Sequence, residues 1–183
     1  HVHALAIEWQ LTEACQGRLG IDPILSPLLQ ALISSTEADM AASAMTLLAA
    51  QGRFVQAQRR MQLPLHELPA DQLYSALQIM VDKANASLAS REARKTITAR
   101  YDEGRSRLGL MTRLVFALGA GGKAALALDH AGVGLFVTAL AVATGQSRSL
   151  VAITTNESLM ARLVLILAAT GLKPQAIEEQ FAA

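Results

Sequence analysis

Apolar positions recur at helical spacing along most of this chain. Met40, Leu47, Phe54 and Met61 repeat every seven residues, with Ala44, Leu48 and Val55 widening the stripe. That is one face of a long helix packed on a core. Leu73, Leu77, Met80 and Val81 mark a second face, and Leu108, Met111, Val115 and Leu118 a third. Leu159, Met160 and the run Leu163 to Leu167 are apolar nearly all round, which predicts a central helix over Ser158 to Thr170.

Punctuation residues set the expected ends. A first helix over Ala4 to Leu19 stops at Gly20. Asp22-Pro23 reads as an N-cap with proline at the first helical position, opening a short helix to Ile33. Thr36 with Asp39 resembles a capping box for the long third helix, and Thr154 with Glu157 another for the helix that follows it. The prolines in Leu63 to Pro69 make a connector, and Pro69 starts the next helix. From Asp82 to Arg107 apolar side chains thin out to Leu88, Ile97 and Tyr101. No proline interrupts that stretch, so it is expected to stay helical as an exposed arm. Gly119 to Gly122 break the helix before them, and a short helix Lys123 to Asp129 leads into an apolar one over Leu135 to Thr144.

One segment occurs twice. Ala143-Thr144-Gly145 is followed by Leu150 and Val151, and Ala169-Thr170-Gly171 by Ile177. In each copy an apolar helix runs into a glycine, turns, and starts a second short helix. The expected fold is all-α, built from stacked helical hairpins, with roughly eight to ten helices. One domain covers residues 1–183, with an acidic helical lobe at 1–82, a basic helical arm at 83–107 and an apolar helical-hairpin lobe at 108–183.

Composition supports this. Hydrophobic residues are 52% and aromatics only 4%, so the apolar fraction is largely the helix formers Ala, Leu and Met. At this length folding buries about 70% of the unfolded surface, enough to do without a disulfide or metal. The single cysteine, Cys15, excludes an internal disulfide and a cysteine-based zinc site; it is expected to be a buried thiol. With no secretory leader, the expected location is cytoplasmic. The longest uncharged run, eighteen residues between Asp129 and Arg148, contains Gly132, Gly134, Thr138 and Thr144 and reads as a buried core helix, not a membrane span.

The net charge of +1 hides an uneven distribution. Residues 1–82 carry four basic and eight acidic side chains, residues 83–113 eight basic and three acidic, and residues 114–183 four of each. Arg91, Arg94, Lys95, Arg100, Arg105 and Arg107, with Tyr101 among them, therefore form the candidate surface for a protein partner, a second copy of the chain included. The alternative is a helix-turn-helix-like DNA-binding unit at 139–155, with Ser147, Arg148, Ser149 and Thr155 as the possible DNA contacts. Ala141, Gly145 and Val151 fit that pattern, but residues 114–183 offer only Lys123, Arg148, Arg162 and Lys173 against the roughly 6–10 phosphate contacts such binding uses. Nucleic acid is thus the less favoured partner. A third reading is an apolar pocket for a small molecule or lipid between the Met- and Ala-rich helices.

Catalytic and metal motifs do not hold up. Gly119-Ala120-Gly121-Gly122-Lys123-Ala124 lacks the first P-loop glycine and the hydroxyl after the lysine, and follows a helical stripe where a nucleotide loop follows a strand. The four histidines have no metal-ligand spacing, and the acid pairs Asp102-Glu103 and Glu178-Glu179 are adjacent, so they do not converge. No catalytic residue, metal or cofactor is assigned. The expected function is a non-catalytic regulatory or scaffold module.

Two stretches carry a family resemblance. Leu47 to Leu68 reads LLAAQGRFVQAQRRMQLPLHEL and continues as PADQLYSAL; Tyr101 to Leu110 reads YDEGRSRLGL and is followed by the repeats ending in AATGL and IEEQ. These resemble the bacterial domain-of-unknown-function family 2336, over most of residues 30–180. The resemblance implies a helical-repeat-like fold, no established catalytic residues, and a regulatory or scaffold role.

Overall fold

A computed structural model describes residues 1–182, apart from the side chains of Ala120, Glu157 and Ala182. All regular structure among them is helical, and no strand is present. The helices are α1 (Val2–Leu19), α2 (Pro27–Ile33), α3 (Ala38–Arg59), α4 (Ala70–Lys83), α5 (Leu88–Arg100), α6 (Arg107–Leu118), α7 (Leu128–Thr144), α8 (Arg148–Thr154), α9 (Met160–Ala169) and α10 (Pro174–Ala182). Short 3₁₀ turns at Leu65–Glu67, Glu103–Arg105, Gly119–Leu126 and Glu157–Leu159 join some of them.

The glycine-ended hairpins form as the sequence predicts. Gly145 takes a left-handed φ of 64° and closes α7; Gly171 does the same after α9 with φ 78°. Only glycine adopts this conformation without steric cost. Ser147 then caps α8 by accepting a bond from the Leu150 N–H. Helix α8 folds back on α7 and packs on α1 and α9, so the hairpins stack.

The centre of the molecule is α7, not α9. Every residue from Ala131 to Ala141 is buried, and α1, α2, α6, α8 and α9 surround this helix. Gly132 breaks its first turn with φ 71°, and a Cβ there would stand 3.0 Å from the Ser26 Cβ. Helix α9 buries Leu163, Ile166 and Leu167 but leaves Leu165 69% exposed, because it packs on one side only. Among the described residues no single helix is long and apolar enough to cross a membrane; α7 and α8 reach that length only as a pair bent by 116°.

Several expected boundaries move. Ser26, not Asp22, caps α2, and Pro27 is its first residue; Asp22 instead accepts the Ile24 and Leu25 N–H groups in the preceding turn. Helix α3 starts after Glu37 without a side-chain cap, so Thr36 and Asp39 form no capping box. Met61 lies past the end of α3 and is 97% exposed. Thr154 ends α8 and donates to the Val151 carbonyl, so it does not cap α9; the side chain of Glu157 lies outside the described residues. Residues 119–126 form a 3₁₀ turn where a short helix from Lys123 was expected.

The largest difference is in the basic arm. It is not one helix: Asn85 and Ala86 take positive φ, and the chain reverses between α4 and α5. Ser87 caps α5 through a bond from the Ser90 N–H. The two helices form a hairpin that packs chiefly on itself around Leu73 and Leu77 of α4, Leu68 before it, and the partly buried Ile97 and Tyr101.

Candidate functional site

Four ionisable side chains from distant parts of the chain meet inside the molecule. Glu8 lies on the buried face of α1, Glu67 ends the 3₁₀ turn before α4, Arg107 begins α6 and Arg148 begins α8. Arg107 donates through Nη1 to Glu8 Oε1 at 2.8 Å and through Nε to Glu67 Oε2 at 2.9 Å. Arg148 donates through Nη1 to the other oxygen of Glu8 at 2.8 Å, and through Nε to the Thr138 hydroxyl at 2.9 Å. Gln51 adds an amide oxygen 3.3 Å from Arg107 Nη1 and donates to the Pro23 carbonyl. The guanidinium of Arg107 lies 3.6 Å from the centroid of the Phe54 ring, a cation–π contact out of water.

Two carboxylates and two guanidiniums cancel. The Arg107, Glu8 and Glu67 side chains are at most 1% exposed, and only Arg148 reaches the surface, at 15%. Burial pushes the Glu8 carboxyl up, but the adjacent Arg107 and Arg148 outweigh it and hold the pKa at about 2. Burial likewise works against the charge on Arg107, and Glu8 and Glu67 more than restore it. The arrangement is a lock. It fixes α1, α6, α8 and the Leu65–Glu67 turn at one point, and it holds no acid or base in reach of a substrate. Two of its atoms, Glu67 Oε1 and Arg107 Nη2, are buried without a hydrogen-bond partner.

The seven residues expected to form one partner surface are separated by the fold. Arg91, Arg94 and Lys95 lie on α5 of the hairpin; Arg94 donates to Gln78 of α4 at 2.6 Å and Lys95 pairs with Glu92 at 3.0 Å. Arg94 and Lys95 border an open groove of about 480 Å³ that also holds Tyr74, Leu77, Gln78, Thr98 and Ala99. Arg100 and Arg105 lie at the hairpin base, where Tyr101 packs edge-on to Tyr74 and donates to the Leu68 carbonyl at 2.6 Å. Burial, then the nearby Glu103, push the Tyr101 hydroxyl up to about 12, so it stays a donor. Arg107 is buried in the lock and forms no part of an exposed surface.

The other expected residues divide too. Ser147 is an N-cap and Arg148 is committed to Glu8 and Thr138. Ser149 lies 3.2 Å from His1 Nδ1, while Thr155 is buried and donates to the Ala152 carbonyl. They present no common solvent face, and the basic side chain of the supposed recognition helix points inward. The cavity among α1, α2, α3 and α7 measures about 30 Å³, room for water and not for a lipid chain. Burial raises the pKa of the Cys15 thiol, with Arg18 opposing, which leaves it a packed side chain and no nucleophile. Among the described residues no group of three His, Cys, Asp or Glu side chains is placed to hold a metal ion.

No protein-family model, curated protein or solved structure matches this chain. The resemblance to family 2336 thus finds no support in a family match, and the chain is assigned to no family.

The lock went unassigned in the sequence, though a signal was present. Arg107 sits on the stripe Leu110, Met111, Leu114; Glu8 on the stripe Ala4, Leu5, Thr12, Cys15; and Arg148 precedes Val151 and Ala152 by three and four. A charge on the apolar face of a helix needs a buried counter-charge. Two of one sign and two of the other make a matched set.

Proposed function

We propose that this protein is a non-catalytic module that docks an acidic protein segment on the α4–α5 hairpin. One observation carries the reading: the hairpin packs chiefly on itself and leaves apolar and cationic side chains side by side on its surface. Tyr74 is 46% exposed, Ile79 and Leu88 more so, and Arg91, Arg94 and Lys95 share the same pair of helices. Aromatic and arginine side chains beside an open groove are the residue types that anchor interfaces. The basic face disfavours self-pairing of two hairpins through like charges; a second copy would have to offer exposed acidic side chains outside the hairpin, such as Glu37 and Asp39.

The test has two steps. Binding partners are captured with the intact protein, and each is titrated against the triple variant Arg91→Glu, Arg94→Glu, Lys95→Glu and against Tyr74→Ala. The reading predicts a loss of about tenfold or more for each variant. Unchanged affinity in both removes the hairpin as the docking surface. Light scattering at high protein concentration decides whether the partner is a second copy.

A further inference from the structure

A second basic site lies at the base of the hairpin, apart from the groove. Arg53 of α3, His66 of the Leu65–Glu67 turn, Arg100 at the end of α5 and Arg105 of the Glu103–Arg105 turn line one cleft of about 210 Å³. Three arginines from separate segments converge on it. None of the three enters an ion pair among the described residues. The one carboxylate in the lining, Asp102, already accepts the Gly104 N–H at 2.9 Å. Tyr101, also in the lining, spends its hydroxyl on the Leu68 carbonyl.

The inner wall adds a second, independent observation. Arg107 lines the same cleft, is 1% exposed, and keeps its Nη2 without a hydrogen-bond partner. Its other two nitrogens are taken by Glu8, Gln51 and Glu67. Like charges gathered around a small concave space repel one another, and the potential they focus there favours an anion. Planar guanidinium forks match tetrahedral oxyanions, which accept several bonds at once. We infer that this cleft binds a phosphoryl group, held by Arg53, Arg100 and Arg105, with Arg107 in the same lining. The group is either free phosphate or the phosphate of a phosphorylated side chain. The inference does not rest on the hairpin reading, since Arg91, Arg94, Lys95 and Tyr74 lie outside the lining.

Isothermal titration of the intact protein at low ionic strength tests it, with inorganic phosphate as one probe and a phosphoserine peptide as the other. An unphosphorylated copy of the peptide is the reference. Saturable binding is expected, weakened about tenfold by Arg53→Gln and further by Arg100→Gln with Arg105→Gln. Arg91→Gln should bind as the parent does. Equal affinity for the two probes assigns free phosphate; tighter binding of the peptide assigns a phosphorylated partner. Circular dichroism confirms that each variant folds, and Arg53→Gln serves alone if the double variant does not. No binding of either probe overturns the inference, as does binding that Arg91→Gln weakens as much as the cleft variants do.

Discussion

Arg105 and Arg107 are two residues apart and have opposite fates. Arg105 stands exposed on a 3₁₀ turn with no ion pair among the described residues, while Arg107 is closed in the core between two carboxylates and a phenyl ring. The same contrast holds for the regions around them. The interior lock joins α1, α6, α8 and the Leu65–Glu67 turn through charges that cancel. On the hairpin and its base Lys95 pairs only with its neighbour Glu92 and Arg94 with Gln78, while Arg91, Arg100 and Arg105 enter no ion pair among the described residues. A basic stretch of sequence is therefore not one functional surface. One of its arginines, Arg107, is built into the core, while Arg91, Arg94, Arg100 and Arg105 lie on the surface.

Removing Arg107 should break the contrast most. Arg107→Met leaves Glu8 and Glu67 in the core with less or no compensation, which costs about 4 kcal/mol of unfolding free energy in urea titration. Acid is the second probe. Glu8 ionises near 4.5 when unfolded and at about 2 in the fold. Because the folded value is the lower one, its stabilisation is complete above 4.5 and drains away as the pH falls toward 2. The loss is about 3 kcal/mol and should vanish from the pH profile of Glu8→Gln, whose midpoint at neutral pH is lowered in exchange.

Smaller effects sharpen the comparison. A Cβ at Gly109 would overlap the Glu103 carbonyl oxygen and come within 3.0 Å of the Gly104 Cα, both backbone. Gly109→Ala should cost about 2 kcal/mol and shift the turn that carries Arg105. Hydrogen exchange should find α4 and α5 opening well before α7, since few contacts tie the hairpin to the rest. The triple reversal at Arg91, Arg94 and Lys95 should move stability by no more than about 0.5 kcal/mol, because these side chains are not part of the lock.

Glycines and stripes made most of the fold legible in the sequence. Gly20, Gly119, Gly145 and Gly171 all take positive φ at or just past helix ends, as a C-terminal glycine does. Leu73, Leu77 and Val81 are buried as their spacing requires, whereas Met80 of the same stripe is exposed. The break between α4 and α5 was hidden because neither glycine nor proline marks it. Asn85 tolerates a left-handed φ, but Ala86 does not advertise one. The identity of the central helix was hidden too, since an all-apolar α9 and a glycine-containing α7 differ in what surrounds them, not in their own periodicity. The site was least legible. Glu8 and Arg148 are 140 residues apart, and only the fold brings them within 2.8 Å.

The separation of a structural arginine from the exposed ones is tested by urea unfolding of Arg107→Met beside Arg100→Gln with Arg105→Gln, at neutral pH. The first should lose about 4 kcal/mol and the second less than about 0.5. Losses of similar size in both variants would contradict the separation and return residues 91–107 to a single surface.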